Sequence, residues 1–422
     1  MKSVVSWGRL DMIYKKTVFG KIPSDWSVST IGVETLVVTD YVANGSFASL
    51  AENVTYHNTK DFATLIRLVD YNNGFKDDLV YIDEKAYEFL GKSKLFGGEI
   101  IISNVGANAG TVFKCPHLPT YMSLAPNAIM VKFKGNDDFY FHWLRGYQGQ
   151  RMLRSIITGS AQPKFNKTNF RAMPIPVPPI AVQDKIANIL NLLDYKIEIN
   201  NKINNNLHQQ TIAIYKKWFL DSPKAAKWPF VMLDDITSLV SRGITPKYAS
   251  DSKQIVLNQK CIRDHSIDIS LARSHTPKAI TEKWLQYGDL LINSTGEGTL
   301  GRAAQVWFIP ENITVDSHVT IVRPKTQLLL FYIGLWGITH EREIEALHIG
   351  STGQTELPRD RVKAMELRLP DGDLLAKFNS TIQPMVSAVV ANQRENVRLS
   401  GIRDEVLPKL MSGEIDVSDI QL

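Results

Sequence analysis

The sequence predicts an α+β protein built as an internal repeat, with two mixed, strand-rich globular halves and two long helices. Three observations carry this. The first is duplication: the stretch from Ala172 to Leu220 returns from Ala364 onward, shifted by a constant 192 residues without a gap. The shift pairs Ala172 with Ala364, Met173 with Met365, Pro178 with Pro370, Lys185 with Lys377, Asn200 with Asn392, Leu207 with Leu399 and Lys217 with Lys409, and upstream it pairs Phe139-Tyr140 with Phe331-Tyr332. A period this long means two large halves, not the short repeat of a solenoid. The second observation is a proline-bounded strand that runs into a long apolar stripe at helical spacing, once per copy. The third is that the remainder alternates short apolar runs with turn residues.

In chain order, the first half opens on Pro23-Ser24-Asp25-Trp26 and the second on Lys227-Trp228-Pro229-Phe230. Short apolar runs follow, such as Leu65-Ile66-Arg67-Leu68-Val69, Ala128-Ile129-Met130-Val131 and His318-Val319-Thr320-Ile321-Val322. Runs of this kind between turn residues predict many short strands and few helices. Gly98-Glu99-Ile100-Ile101-Ile102-Ser103-Asn104-Val105-Gly106 then matches Gly288-Asp289-Leu290-Leu291-Ile292-Asn293-Ser294-Thr295-Gly296. The glycine and the acid predict a turn, and the apolar run predicts a buried strand. Polar, glycine-containing loops come next, at 104–111 and 294–302. Glycines there suit tight turns and also let a backbone approach a ligand closely. The polar residues between them are the better candidates for contacts. A helix around the Phe-Tyr pair is expected at 139–157 and at 331–347. A second polar loop follows it. It reads Gly159-Ser160-Ala161-Gln162-Pro163-Lys164-Phe165-Asn166 in one half and Gly350-Ser351-Thr352-Gly353-Gln354-Thr355-Glu356-Leu357 in the other. Side chains of these types can read base edges or grip phosphates. Ser160 and Thr352 serve equally well as helix caps.

Pro174, Pro176, Pro178 and Pro179 forbid helix up to Ile180, and no proline or glycine follows until Pro223. Between them Val182, Ile186, Ile189, Leu193, Ile197, Ile203, Leu207, Ile214 and Trp218 step mostly by three and four, which makes an apolar stripe on a helix. The second copy offers Leu374, Phe378, Ile382, Met385, Val389, Leu399, Ile402, Val406 and Leu410, with Pro384 expected to kink or loosen its start. About 40 residues at ~1.5 Å each give a rod of ~60 Å. Each stripe can pack on its own domain, and two similar stripes in one chain are also natural partners for each other. The helices are expected over about 180–220 and 372–412.

The 422 residues suffice for two or three domains with real cores, and hydrophobic and charged contents of 44% and 22% are ordinary for a globular chain. The longest apolar runs fall short of a membrane span, and MKSVVSWGRLDMIYKK does not read as a signal peptide. Two distant cysteines, Cys115 and Cys261, suggest a reducing, cytoplasmic setting without a disulfide framework, and nine scattered histidines show no zinc spacing. Residues 1–179 carry 20 basic against 15 acidic side chains and 223–370 carry 18 against 16, while 180–222 and 371–422 together carry 10 against 12. The excess of positive charge thus sits in the globular parts. That suits domains touching phosphates, although an ordinary solvated surface gives the same balance.

These features resemble the specificity (S) subunit of a type I restriction-modification enzyme over nearly the whole chain. The resemblance rests on the twin halves, the openings at Trp26 and Trp228, Gly243-Ile244-Thr245-Pro246, Gly288-Asp289-Leu290-Leu291-Ile292, Gly350-Ser351-Thr352-Gly353-Gln354, and the ending Leu407-Pro408-Lys409-Leu410-Met411-Ser412-Gly413-Glu414-Ile415. The order and the duplication carry it, not any one motif. The first half departs from the pattern, with Asn44-Gly45-Ser46-Phe47 in place of a Gly-x-Thr-Pro and Ala161-Gln162 in place of Gly353-Gln354. The resemblance implies two target-recognition domains (1–179 and 223–370) that each read a short half-site of duplex DNA. The two long helices (180–222 and 371–422, the latter with a tail) would form an antiparallel coiled-coil spacer in a pseudo-two-fold internal repeat. It implies a non-catalytic DNA reader. Two methylation (M) subunits would dock on the helices and bring S-adenosylmethionine, and restriction (R) subunits would bring the ATP- and Mg-dependent motor and nuclease, with no cofactor or metal held in this chain and no membrane partner.

On that reading the expected DNA contacts are Asn44, Ser46, Asn104, Asn108, Gln162, Lys164 and Asn166 in the first half, and Lys247, Thr299, Arg302, Gln354 and Arg359 in the second. Asn200 and Asn392 interrupt the stripes near the helix midpoints and are expected to approach each other, fixing spacer register. The residues themselves offer no Asn-Pro-Pro-aromatic run, no phosphate loop and no nucleophile elbow around Ser294. Two other classes remain at this stage: a self-contained DNA methyltransferase or endonuclease, and an RNA-binding or scaffolding protein.

Overall fold

A computed structural model describes residues 13–76, 78–280, 282–296, 298–350, 355–418 and 420. The described chain folds as two compact units, one from Met1–Ile197 with Arg398–Leu422 and the other from Glu198–Val397. Each unit therefore takes part of both long helices into its own core.

The first unit is organised by a four-stranded antiparallel sheet in the order Thr35–Asp40, Ala128–Phe133, Ile100–Ser103, Val112–Lys114. Its second strand is apolar and buried from Ala128 to Val131 because both faces of the sheet are covered there. Ile100, Ile102, Ile129 and Val131 face the core that contains Trp26, Trp143 and Phe170, whereas Ile101, Ala128 and Met130 face a second core with Ile66, Phe113 and Leu124. Beyond that second core lies a mixed sheet in the order Val80–Ile82, Ala63–Ile66, Tyr121–Leu124, Lys94–Leu95, whose central pair is parallel. The expected run at Leu65–Val69 stops being a strand at Ile66. Asp70 accepts hydrogen bonds from the Arg67 backbone N–H at 3.1 Å and from its Nε at 2.9 Å, which turns the chain into the helix Leu68–Asn72.

The second unit repeats the plan. Thr237–Arg242, Val319–Pro324, Leu290–Asn293 and Ala303–Gln305 form an antiparallel sheet in the same order. Its inner residues alternate likewise, with Leu290 and Ile292 facing the core of Trp228 and Phe331, and Leu291 and Ile321 facing a separate core with Val256's neighbour Leu257 and Val315. The Phe-Tyr helices appear in both units but are broken. They run Asp137–Arg145 and Tyr147–Ile156 around Gly146, and Leu330–Thr339 and Glu341–Glu345 around His340.

The long helices run Ile180–Tyr215, continued by one π-helical turn over Lys216–Leu220, and Gly372–Met411. The second passes through Pro384 as one continuous helix. One proline removes one backbone bond, while Phe378, Ile382, Val386 and Val389 keep packing on either side of it. Inside the first unit Ile186, Ala187 and Leu190 share a core with Leu410, Met411 and Val417, and Arg403 Nη1 donates to Asp194 Oδ1 at 2.8 Å. Inside the second unit Asn200 bonds Asn396 and Asn392 bonds Asn204, so the two segments there run antiparallel. Ile203 and Ile402, read as stripe residues, are 44% and 37% exposed. A step of three from Asn200 turns about 300°, and a step of four about 400°, so Asn204 returns closer to the seam than Ile203 does. The middle of the seam is therefore asparagine, and the stripe residue Ile203 turns away from it.

Candidate nucleic-acid interface

Each unit builds a platform from two loops that are far apart in sequence. In the first, Val105 forms an antiparallel bridge to Lys164, and Lys164 a further bridge to Thr158. The Gly106 N–H donates to Pro163 O at 2.8 Å, Phe165 N–H to Asn104 O at 3.1 Å, and Asn104 Nδ2 to Phe165 O at 3.2 Å. In the second, Thr295 bridges Glu356, Glu356 bridges Ile349, and the Leu357 N–H donates to Ser294 O at 2.8 Å. Gly106 and Gly296 hold φ of +99° and +101°, the left-handed region that glycine reaches without a Cβ penalty, which lets each loop fold back at the same place. The turns before the central strands are also twinned. The Glu99 carboxylate accepts from Phe96 and Gly97 N–H at 2.8 and 2.9 Å, and Asp289 accepts from Gln286 N–H at 2.8 Å. Asp289 is also gripped by Arg323 Nε and Nη2, both at 2.8 Å. Burial pushes the Asp289 carboxyl upward while Arg323 pulls it back.

The expected contact residues divide by what their side chains already do. Asn44 is fully engaged in the fold: its Nδ2 donates to Tyr41 O at 2.9 Å and Ser93 Oγ at 2.8 Å, and its Oδ1 accepts from Lys92 N–H at 2.8 Å. Ser46 caps the helix Phe47–Asn53 by accepting from Ser49 N–H, and Asn166 caps Lys167–Ala172 by accepting from Asn169 N–H at 2.8 Å. Thr299 Oγ1 bonds back to Thr295 O and Gly296 O. Arg359 lies 3.4 Å from Asp360. Asn108, Gln162, Lys164 and Lys247 are exposed and Arg302 is half-buried, and none of the five has a side-chain partner among the described residues. Asn104 keeps a buried Oδ1 without a partner in the first platform, and Asn293, fully buried, keeps one in the second. Gln354 and the Ser351–Gly353 stretch before it lie outside the described residues. Asn200 and Asn392 lie on the seam but bond across to Asn396 and Asn204, not to each other.

One contrast was not singled out from the sequence. The 192-residue shift pairs Lys164 with Glu356. Lys164 presents an ammonium group, whereas Glu356 presents a carboxylate 2.7 Å from Arg242 Nη1, and Arg242 Nη2 donates to Leu357 O at 2.8 Å. Two platforms of one design thus carry opposite charge at one equivalent position. The signal was available in the alignment of the halves, but the two-loop bridge that makes the positions equivalent is a tertiary feature.

No group of three or more His, Cys, Asp or Glu side chains gathers as a metal site among the described residues, and no described helix is long and apolar enough to cross a membrane. A family model described as "Type I restriction modification DNA specificity domain" matches residues 44–209. The chain is 22% identical to the "Type I restriction enzyme MjaIX specificity subunit" of Methanocaldococcus jannaschii over 98% of both chains. It is 21% identical to the "Type I restriction enzyme HindI specificity subunit" of Haemophilus influenzae over 70% of this chain and 80% of that one. The crystal structure of the type I restriction-modification system S subunit from M. genitalium superposes with a TM-score of 0.55 at 14% identity, covering 91% of this chain and 96% of that chain, which shows a shared fold. With a duplicated two-loop platform and paired long helices, the chain resembles the type I restriction-modification specificity subunits over nearly its whole length and shares the fold of the solved one.

Proposed function

We propose that this chain reads an asymmetric, two-part DNA site with an unread gap of fixed length, one half-site per unit. The observation that carries the reading is the pair of platforms with one construction and different side chains, Lys164 against Glu356 above all. Identical platforms would favour identical half-sites, and a charge inversion at an equivalent position changes what each can face. Exposed Asn108, Gln162 and Lys164 in the first unit, and exposed Lys247 with half-buried Arg302 in the second, supply the donors for phosphates and base edges. We further propose that methylation subunits dock on the long helices with S-adenosylmethionine, and that restriction subunits bring the ATP- and Mg-dependent steps. Mapping methylated adenines in the host genome with and without this gene tests the reading. The expected result is a split motif with unlike halves and a constant gap, lost when the gene is removed. A palindromic or continuous motif overturns it. Purified chain incubated with DNA and S-adenosylmethionine should transfer no methyl group on its own.

A further inference from the structure

We infer that a ladder of four asparagines fixes the register in which the two long helices pair within the second unit. Asn200 Nδ2 donates to Asn396 Oδ1 at 2.9 Å and to Glu395 Oε2 at 2.8 Å, and Asn392 Nδ2 donates to Asn204 Oδ1 at 2.8 Å. Asn396 Nδ2 then donates to Asn201 Oδ1 at 2.8 Å. The ladder obeys the internal repeat. The 192-residue shift carries Asn200 onto Asn392 and Asn204 onto Asn396, so the two cross-helix pairs are copies of each other. Each helix holds one asparagine pair four residues apart, on one face, and antiparallel pairing joins the first of one to the second of the other. The symmetry point consequently falls at Lys202 and Arg394, half a turn from the direct Asn200–Asn392 meeting that the sequence suggested.

This arrangement discriminates between registers. Sliding one helix by a turn in one direction sets Asn200 opposite Asn392 but leaves Asn204 facing Ala388. Sliding it in the other direction sets Asn204 opposite Asn396 but leaves Asn392 facing His208 and Asn200 facing Ser400. Only the observed register satisfies both pairs, and a buried amide left unmatched is costly. The ladder is held against stability, because Asn200 is fully buried and its Oδ1 has no partner among the described residues. Leucine at a seam position packs better but does not choose a register, and a buried asparagine does. The role rests on the proposed DNA reading only in its consequence: as positioning residues, the asparagines hold the gap between half-sites to one length.

Cysteine reporters in the full-length chain test it. Leu207 lies three residues beyond Asn204, Val389 lies three residues before Asn392, and both belong to the same apolar cluster. Under mild oxidation Leu207→Cys should cross-link to Val389→Cys in the observed register, to Met385→Cys after a one-turn slip one way, and to Gln393→Cys after a slip the other way. With the asparagines intact only the first pair should form. In the Asn200→Leu/Asn392→Leu background the melting temperature should rise and a slipped cross-link should appear. Cross-linking confined to Val389→Cys in that background overturns the inference. If the double variant does not fold, Asn392→Leu alone is scored by the same criterion. In cells, that background should leave both half-sites unchanged and spread the gap over more than one length. Slipped cross-links with an unchanged gap would remove the positioning role. A wild-type chain that yields no split motif would instead sink the DNA reading, while the cross-links still decide the register.

Discussion

Lys164 and Glu356 put opposite charges at one equivalent position of a common frame. An exposed ammonium that grips a phosphate acts on every sequence alike. Lys164→Ala should therefore weaken binding to all duplexes by a similar factor and lower the slope of log affinity against log salt by about one. An effect confined to one base position would make Lys164 a base reader instead. Asn166 has a different expectation. Because its side chain caps the helix Lys167–Ala172, Asn166→Ala should cost about 1 kcal/mol in unfolding free energy and leave site choice unchanged, as measured by denaturant titration beside a binding assay. The exposed candidates were legible because the sequence places long polar side chains in loops. Asn44 was not, since its partners include Ser93 and Lys92, more than forty residues away, and no local pattern announces a bond across that distance.

The elements that the sequence foretold best are those with a local cause. The two long helices begin and end where the prolines and the apolar steps put them, and the central strands of both sheets lie where unbroken apolar runs demanded cover on both faces. The acid-glycine turns were also legible, but not the depth of Asp289, which is 1% exposed and closed by Arg323 from a neighbouring strand. Removing one partner of such a pair strands the other, so Asp289→Ala should cost about 3–5 kcal/mol in the second unit, read from its unfolding transition. A further element, the contact between the first long helix and the 262–267 hairpin, should respond to pH. His208 packs against Trp307 and His265, and burial pushes its pKa down to about 4. A base whose folded pKa is depressed contributes stability above its unfolded value near 6.5 and loses it as pH falls toward 4. The size is about 3 kcal/mol. His265 works in the opposite sense, because its hydrogen bond to Glu341 raises its pKa and favours the folded state at low pH. The melting temperature should thus fall between pH 6.5 and 4, and His208→Gln should flatten that fall. An unchanged pH profile in the variant would remove His208 from the account.

At the scale of the whole molecule, duplication was legible from the first alignment of the halves, because a constant shift needs no knowledge of contacts. The division into units was not. A helix sequence declares which face is apolar, but not which stretch of its length belongs to which core, and both long helices change allegiance at 197/198 and 397/398. That division has a consequence for biosynthesis. The second unit is one contiguous segment, whereas the first closes only when Leu410, Met411 and Val417 arrive to cover Ile22, Trp26 and Ile186. A nascent chain emerging from the ribosome therefore completes its later segment before its earlier one. Until residues 398–422 are made, the earlier segment waits with an apolar surface open to chaperones and proteases. A chain arrested after Val397 should yield a protease-resistant fragment from 198–397 and a digestible remainder, and the order of folding in this protein would run against the order of translation.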